Sequence, residues 1–407
     1  MSGPLAHLKV LDLSRILAGP WAGQVFADFG AEVIKVERPL KGDDTRHWGP
    51  PYLKDAEGAD TPDAAYYLSA NRGKKSITVD ITQPAGQELI RSLARECDIL
   101  LENYKVGGLA KYGLDYPSIK AINPRIIYCS ITGFGQTGPY RNRAGYDAMI
   151  QGMGGLMSVT GVPEGQPGAG PQKVGVAVAD LMTGMYAVSS VLAAVVHRER
   201  TGVGQSIDLA LLDTQVAWLA NQAQNYLTSG KSPQRQGTGH PNIVPYQAVP
   251  SKDGYFMLAV GNDEQFKRFC AIAGLNELPQ EPAYATNSAR VMAREQLMPL
   301  IESATRQQGS AWWLDKLSDA HVPCGPINDL EQVFADPQVQ ARGMVIEQQH
   351  PLAGKVRTVR NPALFSESPL EYEQGPPVLG EHTEAVLRET LGKSAEEIAA
   401  LRDAGVV

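Results

Sequence analysis

Apolar residues in the first third of the chain come in short, nearly continuous runs separated by helical patterns. Leu8–Leu13 (LKVLDL) reads as a buried strand. Gly19-Pro20 follows, with proline suited to a first helical turn, and predicts a helix to Phe29 that Gly30 stops. Ala31–Glu37 (AEVIKVE) is the next strand. Pro84–Glu96 sets Leu89, Ile90, Leu93 and Ala94 on one helical face, Asp98–Tyr104 (DILLENY) returns as a strand, and Arg125–Thr132 (RIIYCSIT) is a fourth. Strands alternating with helices predict βαβ units, a mainly parallel sheet and an α/β fold with right-handed crossovers.

Leu181–Val196 is sixteen residues long, bounded by Asp180 and His197-Arg198 and interrupted by Thr183, Gly184, Ser189 and Ser190. It is short for a membrane span and reads as a buried core helix, so no membrane partner is expected. Gln205–Tyr226 is strand-like and then helical. Gly230–Pro245, rich in Gly, Pro, Gln and Lys, marks a domain boundary. Gly254–Val260 (GYFMLAV) and the amphipathic helices up to Leu317 predict a smaller α+β unit. From Val322-Pro323-Cys324-Gly325-Pro326 the chain is loop-rich until a short helix near Ala395–Asp403.

Composition narrows the function classes. With 43% hydrophobic and 20% charged residues, the 407-residue chain is neither disordered nor a coiled coil, and its length predicts two or three domains. The balance of 37 Lys+Arg against 44 Asp+Glu gives a net charge of −7 and little support for nucleic acid as a partner. A negative protein still holds an anion where its cations gather. Cys97, Cys129, Cys270 and Cys324 form no C-x-x-C pair, and Met1-Ser2-Gly3-Pro4 lacks a signal-peptide layout, so a reducing, cytoplasmic setting is expected. The seven histidines show no ligand spacing, so no metal site is expected.

Among the motifs, Gly133-Phe134-Gly135-Gln136-Thr137-Gly138 fits G-x-G-x-x-G, but no helix opens before Tyr146, so it reads as a glycine-rich loop. Asp28-Phe29-Gly30 reads as a helix end. Lys35, Arg38, Lys41, Arg46, Arg72, Lys74 and Lys75 follow the second strand, placed either for phosphates beyond strand C-termini or on a solvated face. Asp180 interrupts the apolar stretch Val174–Val196. A carboxylate there is either the cap of the helix that begins at this point or a nucleophile against an apolar wall.

Asp12-Leu-Ser-Arg15-Ile-Leu-Ala18-Gly-Pro20, Gly30-Ala-Glu-Val-Ile-Lys-Val-Glu-Arg38-Pro39, Glu102-Asn103-Tyr104 and Ala179-Asp180-Leu-Met-Thr-Gly184 resemble the class III coenzyme A transferases. The similarity runs to Leu379-Gly-Glu-His-Thr383 and the closing Ala404-Gly-Val-Val407. This resemblance implies a Rossmann-like large domain with a smaller α+β domain inserted, and an interlocked homodimer. The implied segments are 1–200 for the CoA-binding domain, 201–229 for a linker helix region, 230–325 for the small domain and 326–407 returning to the large one. It further implies that Asp180 is the nucleophile, that Arg38 meets the adenosine of CoA, and that Ile16, Leu17, Ala18, Asn103, Tyr104, Lys105 and Tyr146 lie along the ligand. Lys111 stands where the formyl-CoA branch has arginine, keeping charge without the fork. Thr82 and Ala144 replace family lysines, and Arg143 offers a charge next to the second. Gly237-Thr-Gly239-His240 lies where relatives carry a glycine-rich loop over the site.

The implied chemistry needs no permanently bound cofactor, with CoA and acyl-CoA entering as substrates. An ordinary carboxylate, with a pKa of ~4, is ionised at neutral pH and attacks a thioester without a partner base. A family alternative, 2-methylacyl-CoA racemisation, uses a histidine in a Gly-His-Asp string, and this chain has Gly145-Tyr146-Asp147. A non-catalytic CoA-binding module would leave Asp180 only a cap. Tyr128–Pro139, Gly42-Asp-Asp-Thr-Arg46 with Trp48-Gly-Pro50, and Val244-Pro-Tyr-Gln247 look like the branch pairing a succinyl-CoA donor with a short dicarboxylate acceptor such as glutarate. In that reading Arg46 or His240 holds the distal carboxylate.

Overall fold

The computed structural model describes residues 3–407, which divide into two compact units. The first comprises the residues up to Gly154, then Gly175–Trp218 and Gln338–Val407. Its strands are β1 (Lys9–Asp12), β2 (Glu32–Glu37), β3 (Tyr52–Lys54), β4 (Asp60–Ala64), β5 (Lys75–Thr78), β6 (Ile99–Glu102), β7 (Ile127–Thr132) and β8 (Ser206–Ala210). Six of them form one sheet in the order β5-β2-β1-β6-β7-β8, every neighbouring pair parallel, while β3 and β4 make a separate hairpin. From β1 the chain winds outward through β2 to β5, then returns to β6 and winds the other way. The order therefore reverses between β1 and β6, which is where open α/β sheets place their ligands.

Alternation along the strands explains the two covered faces. Val10, Val33, Ile99, Leu101 and Ile127 join Ala22, Phe26, Val188 and Val191 from the helices Ala18–Asp28 and Val178–Thr201. Leu11, Ile34, Ile77, Leu100 and Tyr128 face the other way, against Leu89, Ile90 and Leu93 of the helix Pro84–Glu96. Val386, Leu387, Ile398 and Val406 near the C-terminus complete that second layer. Helix Val178–Thr201 has the length and apolarity of a membrane span, yet Ala187, Val188, Val191, Ala194 and Val195 are buried in the first layer.

The second unit, Gly155–Val174 with Leu219–Pro337, is α+β as the sequence predicts. Its sheet is antiparallel, β9 (Tyr246–Pro250), β10 (Tyr255–Ala259) and β11 (Cys324–Pro326), in the order β11-β10-β9. Phe256, Leu258, Phe266, Phe269, Trp313 and Leu317 form its core. In the first unit's C-terminal stretch, β12 (Val345–His350) and β13 (Gly354–Val359) make a hairpin.

The domain boundaries shift accordingly. The region 201–229 is not a linker, because β8 is the edge strand of the large sheet and pairs along its length with β7. The second unit runs from Leu219 to Pro337 rather than 230–325, and it recruits Gly155–Val174 as well. Strand β5 escapes the sequence reading because Lys74 precedes it and Lys75 opens it. Lys74 is buried with Asp12, Asn71 and the Pro20 carbonyl as its partners, an arrangement that hydropathy does not register.

Candidate active site

Beyond β1, the chain turns at the reversal point and the backbone N–H groups of Leu13, Ser14, Arg15 and Ile16 each have a partner. Leu13 donates to the Leu101 carbonyl at 2.9 Å and Ser14 N–H to Asp12 at 3.0 Å. The Asn103 side chain accepts from Arg15 N–H (2.9 Å) and donates to the Arg15 carbonyl (2.7 Å), tying the ends of β1 and β6 together. Two glycines allow the next helix to sit close. A Cβ at Gly19 would lie 2.3 Å from that of Ser14, and one at Gly23 would lie 2.6 Å from the Asp12 carboxylate.

Most cations of the basic stretch resolve into buried ion pairs, neither a phosphate site nor a solvated face. Lys35 pairs with Asp43 at 2.9 Å, Lys74 with Asp12 at 3.0 Å, and Arg72 with Asp28 at 2.6 Å. Arg46 is buried as well. It forks onto Glu37 (2.8 and 2.7 Å) and reaches Asp63 (2.6 Å), the Tyr67 hydroxyl (2.6 Å) and the Pro377 carbonyl (3.2 Å). Its donors are occupied within the fold and it does not border the clefts described below, so the role of holding a substrate carboxylate passes from Arg46.

Two clefts open at the strand C-termini. One, of about 870 Å³, is bordered by Ile16, Leu17, Ala18, Arg143, Tyr146 and Asp180. The other, of about 1270 Å³, is bordered by Arg38, Lys41, Thr82 and Lys111. They share Arg15, Asn103, Tyr104 and Lys105, and so form one groove from Asp180 to Arg38. The structure thus gathers into one groove every residue of the first unit expected along the CoA ligand. Arg38, Lys41, Lys105, Lys111, Arg141 and Arg143 are exposed. Arg141 and Arg143 sit on the loop after β7, whose base is closed by the backbones of Gly133 and Gly145. A Cβ on Gly133 would meet Gly145 Cα at 2.7 Å. As read from the sequence, no helix opens on the G-x-G-x-x-G string, and the next begins at Asp147.

Asp180 is not a cap. Helix Val178–Thr201 has Ala177 at its N-cap with no side-chain bond, and Asp180 lies in the first turn. The capping acceptor comes from a distant segment. Asp147 accepts from Ala179 N–H at 2.8 Å and Asp180 N–H at 3.4 Å, and is itself braced by Gln151 at 2.7 Å. Burial, and then the neighbouring Asp147 charge, push the Asp180 carboxyl up to about 7. An ordinary carboxylate pKa is therefore the wrong expectation for this group. Tyr66 was not singled out by the sequence. Its ring packs edge-on against Trp48 (5.2 Å), and burial followed by the charges of Asp180, Asp147 and Asp43 pushes its phenol up to about 12. It stays an O–H donor near the carboxylates. Tyr66 carries no spacing signal, and Asp147 enters the sequence reading only as the end of Gly145-Tyr146-Asp147; each becomes informative for the site once Asp180 is placed beside it.

The other predicted residues belong to the second unit. Gly237 has φ +61° and donates to the Gly161 carbonyl at 3.1 Å. Gly239 donates to the Gln236 carbonyl at 2.9 Å. His240 Nδ1 accepts from Asn242 N–H at 3.1 Å, its ring lies 5.3 Å from that of Tyr246, and burial and Arg294 hold its pKa down. It is therefore a neutral imidazole at neutral pH, able to donate one hydrogen bond through Nε2 but not to form an ion pair. Among the described residues, no three His, Cys, Asp or Glu side chains converge as a metal site would require.

Comparison with known proteins gives the family. Residues 5–383 match CoA-transferase family III. The chain is 52% identical to a succinate–glutarate CoA-transferase of Agrobacterium fabrum over 386 residues, 95% of each protein. It is 45% identical to human succinyl-CoA:glutarate CoA-transferase, covering 99% of this chain and 90% of that protein. A crystal structure of a CAIB/BAIF family protein from Brucella suis superposes with a TM-score of 0.84 at 52% identity, covering 96% of this chain and all of that one.

Proposed function

The chain belongs to CoA-transferase family III and is an enzyme that transfers CoA between an acyl-CoA and a carboxylate, and on that premise we propose that it moves CoA from succinyl-CoA to glutarate or a similar short dicarboxylate. The observation that carries the site assignment is the groove joining Asp180 to the exposed cations around Arg38 and Lys111. A CoA thioester has a polyanionic nucleotide at one end and its reacting carbonyl at the other, so the basic end takes the phosphates and the acyl group reaches Asp180. The near half-identity to two succinyl-CoA:glutarate enzymes supports the choice of acids.

In the proposed cycle, an Asp180 oxygen attacks the succinyl thioester carbonyl and expels CoA thiolate, leaving an aspartyl–succinyl anhydride. The thiolate attacks Cγ of Asp180, releasing succinate and forming an aspartyl-CoA thioester. Glutarate attacks the same carbon, expelling the thiolate and forming an aspartyl–glutaryl anhydride. The thiolate then takes the glutaryl group, and the Asp180 carboxylate is restored. Each step exchanges one anion for another, so no proton transfer is required. Each passes through an oxyanion, for which the N–H groups at the start of helix Ala18–Asp28 are the proposed donors, since Ala18 borders the same cleft as Asp180. A carboxyl raised to about 7 is a stronger nucleophile once ionised and remains available at slightly alkaline pH. Tyr146 stands where the racemases place histidine, so the imidazole base of that chemistry has no counterpart there.

Incubation with succinyl-CoA and a panel of acids tests the proposal, with glutaryl-CoA as the expected product. Hydrolysis alone, or exchange of the α-proton with solvent deuterium, would overturn it. Asp180→Ala should abolish turnover while CoA binding persists. The enzyme is further proposed to act as an interlocked homodimer, for which the exposed Met185, Tyr186 and Val196 on the long helix provide apolar surface. Light scattering should then report twice the 43.8 kDa chain mass. A reducing cytoplasm is the proposed setting, in keeping with four free cysteines.

A further inference from the structure

Ile16 adopts φ +72°, the left-handed region in which a β-branched side chain crowds its own backbone. It does so where the turn after β1 becomes the wall of the Asp180 cleft, immediately before Leu17, the N-cap of the first helix. Conformations of this kind persist only where the surroundings hold them.

Asp43 provides that hold. Its two carboxylate oxygens each lie 3.3 Å from Ile16 N–H. One also accepts from Thr45 N–H (3.0 Å) and the Thr45 hydroxyl (2.8 Å), and the other from Lys35 Nζ (2.9 Å). The Asp43 N–H is anchored on Glu37 at 2.9 Å. Lys35 is fully buried and donates in addition to the Ser14 carbonyl at 3.0 Å, so one ammonium grips both the turn and the residue that holds it. No reacting atom is involved; Asp43 and Lys35 also border the neighbouring cleft, and Asp43 reaches the Asp180 cleft through Ile16.

We propose that Asp43, clamped by Lys35, is a positioning residue for CoA transfer, holding Ile16 in the left-handed conformation that keeps Leu17 and Ala18 in the cleft wall. The inference rests on the transferase reading, since the affected step is binding of the acyl-CoA. With the hold weakened, Ile16 relaxes toward negative φ and only a fraction of molecules present the competent wall. Apparent affinity falls by that fraction, while saturated turnover is preserved.

Asp43→Asn, Ile16→Gly and the double variant test this, with KM for succinyl-CoA, kcat and direct CoA binding measured for each. In the native background D43N should raise KM and the CoA dissociation constant about tenfold, with kcat changed less than about twofold. Glycine enters the left-handed region without penalty. Adding D43N to I16G should therefore cost less than about twofold beyond I16G alone. An equal loss in both backgrounds would overturn the proposal and make Asp43 a general structural partner of Lys35, as would unchanged KM in D43N. If D43N fails to fold, the K35M/D43N pair leaves no buried unpaired ammonium and enters the same comparison. Absence of CoA transfer by the unsubstituted enzyme would instead refute the transferase reading.

Discussion

Replacing Asp180 by asparagine should make the protein more stable, increasingly so as pH rises. Asparagine keeps the shape of the side chain and removes its charge. In the folded protein the Asp180 carboxyl is raised from 3.8 to about 7, by burial and then by Asp147. Between those values the folded protein holds a proton that the unfolded chain has released, so rising pH favours unfolding. The native protein thus loses stability from about pH 4 to about pH 7, a loss that D180N would not share. At about 1.4 kcal/mol per tenfold, the full effect is about 4 kcal/mol at pH 8 and under half of that at pH 5. Asp180 borders an open cleft, and solvent there reduces the figure to roughly 2–4 kcal/mol. An acidic side chain in a helix's first turn contributes roughly 0.3–1 kcal/mol in the opposite direction, too little to reverse the sign.

Melting of both proteins at matched scan rate, without ligand, between pH 5 and pH 8.5 provides the measurement. For a chain of this size each kcal/mol corresponds to roughly 1–2 °C, so D180N should melt several degrees higher at pH 8, with the gap narrowing toward pH 5. A gap independent of pH, or D180N melting lower at pH 8, would refute the reasoning. Asp180 would then be an ordinary carboxylate whose contribution is to its own helix.

The same electrostatics predict that kcat/KM rises with pH through about 7 as Asp180 ionises, and that Asp147→Asn moves this limb toward acid, leaving the larger effect of burial in place; a pH–rate profile that stays in place would deny the coupling. Arg46→Lys loses the fork onto Glu37 and the reach to Asp63 and should cost about 2–3 kcal/mol in denaturant unfolding without a selective rise in KM for glutarate; a selective rise would return Arg46 to the acid site. Lys105→Ala and Lys111→Ala should each raise KM for acyl-CoA about three- to tenfold, by an amount that shrinks in high salt, because both are exposed charges on the groove. An effect on the free acid's KM instead would place them elsewhere.

The first unit is legible in the sequence to the extent that its signals are local. The periodicity gives β1, β2, β6 and β7, and the helix Pro84–Glu96 to the residue, because apolar runs and a proline at the start are properties of contiguous residues. What periodicity misreads is charge whose partner is distant in sequence. Lys74 finds Asp12, Arg72 finds Asp28, and Arg46 finds Asp63, each pair formed only when the strands assemble. The same holds at the site. Asp180 attracts notice as a carboxylate in an apolar stretch, but whether it is capped, paired or free depends on Asp147, which arrives from another helix. Resemblance to a family offers Asp180 as the nucleophile of the proposed cycle, and the geometry removes the capping alternative.

Those pairings also explain how a chain of net charge −7 presents a basic groove. Lys35, Arg46, Arg72 and Lys74 are neutralised inside the fold by Asp43, Glu37, Asp63, Asp28 and Asp12, and contribute little field at the surface. The field over the groove comes from a second set on loops: Arg38 past β2, Lys105 and Lys111 past β6, and Arg141 and Arg143 past β7. The internal pairs fix the turn after β1 through Ser14, Ile16 and Pro20, and that turn forms a wall of the Asp180 cleft, with Arg15 bordering both clefts. Losing an internal cation should therefore change stability and the shape of the wall with little change in salt dependence, whereas losing a loop cation should change salt dependence with little change in stability. The division follows from burial alone, since a paired charge inside the fold is screened by its partner and an exposed one by the solvent.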